Sequence, residues 1–361
     1  MKQFPSIRGA GRRRRKTRLF SPDAMGIDEA AALLRAGRLI AFPTETVYGL
    51  GADATNPRAV AALYAAKGRP SFNPLIAHLP DLDAAFEQGR FNASARALAR
   101  AFWPGALTLV VPLGARTSVC ELARAGLASV ALRVPAHPLA HELLRKAGVP
   151  IAAPSANRSG HVSPTLSSHV MADLDGRIDA VINGGPTAIG LESTIVACLS
   201  TEPALLRAGG IPREAIETVV GKLGGHESGS GTVSRGAHKK SPCTAPSMAP
   251  DNPRPLSPGL LASHYAPRAK VRLEAHAIEP REAALLFGNV RPKGLEHAEA
   301  VLNLSETGDL TEAAANLFGH LRRLDAMLAG KRSPRIAVSP IPELRLGEAI
   351  NDRLRRAAAG R

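Results

Sequence analysis

The stretch from Arg38 to Leu79, RLIAFPTETVYGLGADATNPRAVAALYAAKGRPSFNPLIAHL, decides how the chain folds. Leu39-Ile40-Ala41-Phe42 is a short apolar run closed by a proline, the pattern of a buried strand. Pro43-Thr44-Glu45-Thr46 then sets two hydroxyls and a carboxylate at the end of that run. Asn56-Pro57 is a helix start, because Asn caps free backbone N–H groups and Pro at the first position lacks one that would go unbonded. Ala59, Val60, Leu63 and Tyr64 line one face of that helix, and the basic turn Lys67-Gly68-Arg69-Pro70 stops it. A second apolar run, Pro74 to Leu79, carries one histidine, His78. The order is strand, loop, helix, loop, strand. Polar chemistry gathers at the ends of hydrophobic elements, which is where ligands bind in open α/β sheets. Lys67 and Arg69 fit an anionic ligand, since Arg presents a fork of donors to phosphate or carboxylate. They equally fit a helix C-terminus whose dipole favours cations. Taken alone, the two residues leave both readings open.

The neighbouring segments repeat the pattern. Asp23 to Gly37 reads as a helix, with Ile27, Ala30, Ala31 and Leu34 at helical spacing. Phe91 to Phe102 reads as another, stopped by Trp103-Pro104-Gly105, and Ala106 to Val111 follows as a strand. Val130 to Pro135 is a strand interrupted by Arg133, which points either out of a sheet edge or toward an anionic ligand; its place near the strand end favours the ligand. His137 to Lys146 is a helix. Pro150 to Gly160 is a short strand running into a loop of Ser155, Asn157, Ser159 and Gly160, a nest of donors suited to phosphate or an ordinary serine-rich turn. Ser163-Pro164-Thr165 adds hydroxyls ahead of a helix start. Ala180 to Pro186 is strand plus turn, Glu192-Ser193-Thr194-Ile195-Val196 a polar-tipped strand, and Ala204 to Ile211 a last strand with Arg207 inside it. Five such elements argue for one composite site.

The chain has 361 residues, too many for one ordinary core, so two domains are expected. Forty-six Lys and Arg against 31 acids give +15, which favours anionic partners such as nucleotides, RNA or phosphate-rich surfaces. Part of that excess, Arg12 to Arg15 with Lys16 and Arg18, reads as a disordered basic arm over residues 1–22. Cys120, Cys198 and Cys243 are far apart with no CxxC, which argues against a zinc site or disulfide framework and for a reducing compartment. No apolar run is long enough to span a bilayer. The basic start lacks the apolar core of a secretory signal, although an Arg-rich, acid-poor start leaves an organelle transit peptide open; the cytoplasm is the expected location. There is no GxxxxGK[ST], so no Walker-type nucleotide site is expected. Gly49-x-Gly51-x-x-Ala54 imitates a dinucleotide fingerprint, but the turn Thr55-Asn56-Pro57 follows where a helix should begin. No Ser-His-Asp order or paired carboxylates stand out, and His78 has no acid nearby in sequence, so it reads as a binding group rather than a relay base.

Residues 221–258 change character to Gly, Ser, Pro and Lys, a linker that is mobile in part. It ends in Ser257-Pro258-Gly259 and Ser263-His264-Tyr265-Ala266-Pro267, too ordered in composition for a mere spacer. Beyond it, strands at 283–288, 300–304 and 335–338 alternate with helices at 311–328 and 346–359, a small parallel α/β unit.

Three pieces together, Pro43-Thr44-Glu45-Thr46-Val47-Tyr48-Gly49-Leu50, Lys67-x-Arg69-Pro70 and Asn73-Pro74-Leu75-x-x-His78, resemble the signature of the YrdC-type domain of the threonylcarbamoyl-AMP synthase family. The resemblance continues through the Pro-Gly…His-Tyr-Ala-Pro linker. It extends into Asn303-Leu304-Ser305, Ala313-Ala314-x-Asn316-Leu317-Phe318, Leu321-Arg322-x-Leu324-Asp325 and Gly347-Glu348-Ala349-Ile350-Asn351-Asp352-Arg353-Leu354. It implies an α/β fold: a twisted mixed-sheet YrdC-type domain over 23–220 with a basic concave cleft, a linker or lid over 221–268, and a smaller Rossmann-like domain over 269–361. It implies synthesis of threonylcarbamoyl-AMP and diphosphate from L-threonine, bicarbonate and ATP with Mg²⁺, the first step toward threonylcarbamoyladenosine in tRNA, with no covalent intermediate and no protein ligand to the metal. The family's threonine contacts fall on Thr46, His78, Arg133 and Ser193. Its nucleotide contacts fall on Lys67, Arg69, Asn73, Ser155, Asn157, Ser163 and Arg207, with Tyr265 closing over the site as a lid. The linker departs from the family in its length and in Leu260, where methionine is common. The downstream partner implied is the machinery that transfers the threonylcarbamoyl group to tRNA.

Two other readings compete. An RNA-binding module would use the basic cleft, with weak, salt-dependent affinity and no need for Thr46 or Ser193. A carbamoyl-transfer relative inside a larger maturation protein would want zinc-finger cysteines and an acylphosphatase-like region, and neither is present.

Overall fold

The computed structural model describes residues 16–224 and 265–360. The N-terminal domain runs β1 (Arg18–Phe20), α1 (Ala24–Arg35), β2 (Ile40–Phe42), β3 (Gly49–Asp53), α2 (Pro57–Lys67), β4 (Ile76–His78), α3 (Leu82–Gln88), α4 (Ala93–Phe102), β5 (Leu107–Pro112), β6 (Ser129–Arg133), α5 (Pro138–Ala147), β7 (Ile151–Ala152), α6 (Ser167–Leu174), β8 (Ala180–Ile182), β9 (Thr194–Ala197), β10 (Ala204–Arg207) and α7 (Arg213–Val220). Its strands form one ten-stranded mixed sheet in the order β1-β8-β2-β3-β7-β4-β6-β5-β9-β10.

The organising stretch folds largely as its residues direct. Asn56 accepts from the N–H groups of Arg58 and Ala59 at 3.0 and 3.3 Å, and Gly68 ends α2 in the left-handed region at φ 62°. The loop expected between β2 and α2 holds a strand instead. Gly49–Asp53 pairs antiparallel with β2, because Gly51 lets the Phe42 ring approach: a Cβ there would lie 2.9 Å from a ring carbon. Glycines weaken the strand signal that they make possible in space.

The arm expected over residues 1–22 is corrected at its end. Residues 1–15 lie outside the described residues, but Arg18–Phe20 is a strand, parallel to β8. The cause is Phe20, buried in a cluster with Ile27, Ile40, Phe42 and Ile182. Most of the expected linker, residues 225–264, also lies outside the described residues.

The C-terminal domain runs β11 (Lys270–Arg272), β12 (Glu282–Leu286), β13 (Val301–Asn303), α8 (Leu310–Met327), β14 (Arg335–Val338) and α9 (Leu346–Ala358). Its four-stranded sheet, β11-β14-β12-β13, is parallel throughout, as strand–helix alternation requires. The two domains share a core. Val47, Val162 and Leu191 of the first pack in one cluster with Tyr265, Leu317, Phe318 and Leu346. Gly190 permits this approach: it sits at φ 74°, and a Cβ there would lie 2.4 Å from the Ala314 carbonyl oxygen on α8.

Candidate active site

β4 and β6 are parallel interior neighbours, and their register sets His78 beside Arg133. Arg133 is therefore not on a sheet edge. Its guanidinium is buried, donates to the Gly105 carbonyl at 3.2 Å and pairs with Glu45 Oε1 at 2.6 Å. Burial opposes ionisation of Glu45, but the Arg133 charge and backbone N–H groups outweigh it and hold the carboxyl below the usual range. Burial first, and Arg133 second, pull His78 down to about 3, so its imidazole is neutral at neutral pH. With Nδ1 3.2 Å from the Ile76 carbonyl, it is a hydrogen-bonding group and not a charge.

Thr46 is fully buried, and its hydroxyl lies 2.7 Å from that of Thr44. The backbone of this loop is pinned to the segment ahead of β9, since the N–H groups of Ile189 and Gly190 donate to the carbonyls of Glu45 and Thr46. That segment delivers Ser193, whose hydroxyl lies 2.7 Å from Thr108 Oγ1. Arg207, at the end of β10, donates to the Ser193 carbonyl at 2.8 Å and to its hydroxyl at 3.3 Å.

Lys67 and Arg69 are buried behind this layer. The Lys67 ammonium donates to the carbonyls of Ser155 and Asn157, each at 2.5 Å, so it ties helix α2 to the Ser155–Asn157 loop. Burial and then the charge of Arg69 push its pKa well below the ordinary lysine value. Arg69 donates to the Pro74 carbonyl at 3.1 Å, and burial lowers it to about 10, where it remains a cation at neutral pH. Ser163 donates to Glu192 Oε1 at 2.5 Å. Tyr265 is buried, stacked on Phe318 with ring centres 5.5 Å apart and with the Arg353 guanidinium 5.1 Å from its own centre. Burial pushes its hydroxyl above the ordinary tyrosine value, so it is neutral at neutral pH.

Strand register joins His78 with Arg133, direct bonds join Arg207 with Ser193, and Lys67 is bonded to the Ser155–Asn157 loop. Among the described residues, buried acceptors without a hydrogen-bond partner include Glu45 Oε2, Asn73 Oδ1 and Asn157 Oδ1. Unpartnered buried acceptors are costly, and these three stand on or beside sequence-predicted site residues, where a ligand's donors would satisfy them. Four further residues were not assigned to the site from sequence: Thr108 and Glu192 within the N-terminal domain, and Arg322 and Arg353 reaching in from the C-terminal one. Arg322 and Arg353 both lie in stretches that carry the family resemblance, and Arg353 left a second signal. It stands four residues after Ala349 and three after Ile350, inside the buried stripe of α9.

Residues 32–209 match the family model described as Telomere recombination, and residues 211–359 match that of the Threonylcarbamoyl-AMP synthase, C-terminal domain. The threonylcarbamoyl-AMP synthase of Bacillus subtilis is 41% identical over 347 residues, 93% of each chain. That of Pyrococcus abyssi is 40% identical over 349 residues, 92% of this chain and 94% of the other. The crystal structure of P. abyssi Sua5 complexed with L-threonine superposes with a TM-score of 0.79 at 36% identity, covering 95% of this chain and 98% of that one. With both domains matched in sequence and in fold, the chain belongs to the threonylcarbamoyl-AMP synthase family.

Proposed function

We propose that the chain is a nucleotidyltransferase that makes threonylcarbamoyl-AMP and diphosphate from L-threonine, bicarbonate and ATP, the first step toward threonylcarbamoyladenosine in tRNA. The observation that carries this reading is the cluster of buried Arg, hydroxyl and unpartnered acceptor groups, in a chain alike over nine-tenths of its length to synthases of that name. All three substrates carry negative charge, and Arg133, Arg69 and Arg207 complement it. Thr46, His78, Arg133 and Ser193 take threonine. Lys67, Arg69, Asn73, Ser155, Asn157, Ser163 and Arg207 form the nucleotide end, Lys67 by holding the Ser155–Asn157 loop.

The threonine amine attacks the carbon of bicarbonate, water leaves, and a carbamate forms. A carbamate oxygen then attacks the α-phosphorus and diphosphate leaves with the bonding pair. Neither step needs a protein nucleophile, so positioning and fixed charge supply the catalysis. Neutral His78 suits hydrogen bonding to an amino acid better than proton relay. Tyr265, buried against Phe318, closes the site over a product that water would destroy.

We assign no protein ligand to Mg²⁺, because Glu45 and Glu192 are each ion-paired to an arginine. Mg²⁺ enters with the triphosphate, as part of that substrate. Among the described residues no helix is long and apolar enough to cross a membrane. We assign the enzyme to the cytoplasm, handing its product to the machinery that acts on tRNA.

The test is diphosphate release from ATP with threonine and bicarbonate each present or omitted. Release that needs both is expected. Threonine-independent release would assign another acceptor. No release, together with RNA binding that falls steeply with salt, would put the RNA-binding reading first.

A further inference from the structure

The C-terminal domain reaches the site through two arginines, and both converge on groups that the reading above places at the nucleotide end. Arg353 of α9 is fully buried. It pairs with Glu192 Oε2 at 2.8 Å, donates to the Ala208 carbonyl at 2.9 Å and is also paired with Asp352. Glu192 immediately precedes Ser193, and Ala208 immediately follows Arg207. One guanidinium thus grips the chain neighbours of two site residues that bond to each other. The other oxygen of Glu192 accepts from the Ser163 hydroxyl. Arg322 of α8 holds the same loop from the opposite side. It pairs with Asp173 at 2.8 Å and donates to the Val162 and Ser163 carbonyls.

The sheet explains why such bracing matters. β10, which carries Arg207, is the last strand of the order: β9 is its one strand neighbour, and beyond that only a bridge from Ala204 to Gly224 holds its start. Its register is also irregular between Leu205 and Arg207. The end of this edge strand is thus held less by its ladder than by the bonds of Arg207 to Ser193. Arg353 adds a constraint on both from another domain.

We propose that Arg353 is a positioning residue: through Glu192 and the Ala208 carbonyl it sets Arg207 and Ser163 for the nucleotide, so that the nucleotide end of the site is complete only with the C-terminal domain docked. The inference rests on the proposed synthase reading and deepens it. Misplacing such groups by about 1 Å costs on the order of 100-fold in rate.

The experiment separates positioning from stability in the full chain. Removing one partner of a buried ion pair leaves a bare charge, so Arg353→Met and Glu192→Gln are each expected to lower Tm. The double variant Arg353→Met/Glu192→Gln removes both charges and keeps an acceptor for Ser163. We expect its Tm to return toward that of the unaltered protein while kcat/KM for ATP in diphosphate release falls at least about tenfold, with KM for threonine moved far less. Recovered Tm with unaltered kcat/KM for ATP overturns the proposal. If the double variant does not fold, Arg353→Lys decides: it keeps the charge beside Glu192 but cannot also reach Ala208 as a fork does. A raised KM for ATP in a folded Arg353→Lys protein supports positioning, and unaltered kinetics overturns it. Absence of threonine-dependent release in the unaltered protein, measured alongside, would overturn the synthase reading instead.

Discussion

The two ends of the proposed site, the one assigned to threonine and the one assigned to the nucleotide, are built on opposite principles. At the threonine end, Arg133 and His78 sit on β6 and β4, interior strands with hydrogen-bonded neighbours on both sides. Glu45 comes from the loop after β2, so every part belongs to one domain. At the nucleotide end, Arg207 ends an edge strand and Ser163 lies in a loop, and both depend on arginines from the second domain. An interior strand positions a side chain through its own ladder, whereas an edge strand needs outside support. Damage within the threonine end should therefore stay local, while damage to domain docking should reach the nucleotide end first and the threonine end through the Gly190 N–H bond to the Thr46 carbonyl.

The largest effect should come from the threonine end. Arg133→Gln alone leaves Glu45 as an unpaired buried carboxylate, costing about 3 to 5 kcal/mol. In Arg133→Gln/Glu45→Gln that penalty is removed, and threonine-dependent diphosphate release should still fall at least about 100-fold. Equilibrium binding of ATP to this variant should be unchanged within about twofold, and a loss of ATP binding would break the proposed independence of the two ends.

Gly190→Ala tests docking. An alanine held at φ 74° with its Cβ 2.4 Å from the Ala314 oxygen should cost more than about 2 kcal/mol. Denaturant unfolding measures that loss, and KM for ATP and for threonine should both rise, because the Gly190 N–H also holds the Thr46 carbonyl. A rise in KM for ATP alone would mean that docking serves only the nucleotide end.

The smallest effect is a pH dependence. His78 holds about 3 in the folded protein against the ordinary 6.5. Between those values the unfolded chain binds a proton that the folded one does not, so stability is lost as pH falls below 6.5. From pH 7 to 5.5 the loss is ~1 kcal/mol from this group. His78→Gln should flatten urea midpoints over that range. A slope that survives the substitution unchanged would assign it to other groups, His169 first, which burial pulls down to about 4.

Much of this was legible before any coordinates. Asn56-Pro57 and Lys67-Gly68 bounded α2, and apolar runs ending in Ser, Thr or Arg pointed to a composite site. Arg133 read as either an edge residue or a ligand group, and the interior position of β6 removed the edge. β3 was hidden by its glycines, and β1 by the basic run ahead of it. α3 and α7 are short helices whose apolar positions are too few to announce a period, whereas the start of α6 was legible after Ser163-Pro164-Thr165.

The amino-acid sequence by itself determined the local elements and the kinds of group at their ends, because capping, turn formation and apolar periodicity act over a few residues. Only the tertiary structure decided which charges meet. Glu45 and Arg133 are 88 residues apart, and Glu192 and Arg353 are 161 apart. Over such separations nothing in the spacing of residues chooses a partner; sheet order and domain docking do. The same distance explains why the C-terminal domain reads locally as an ordinary α/β unit, yet in space sends two arginines into its neighbour's site.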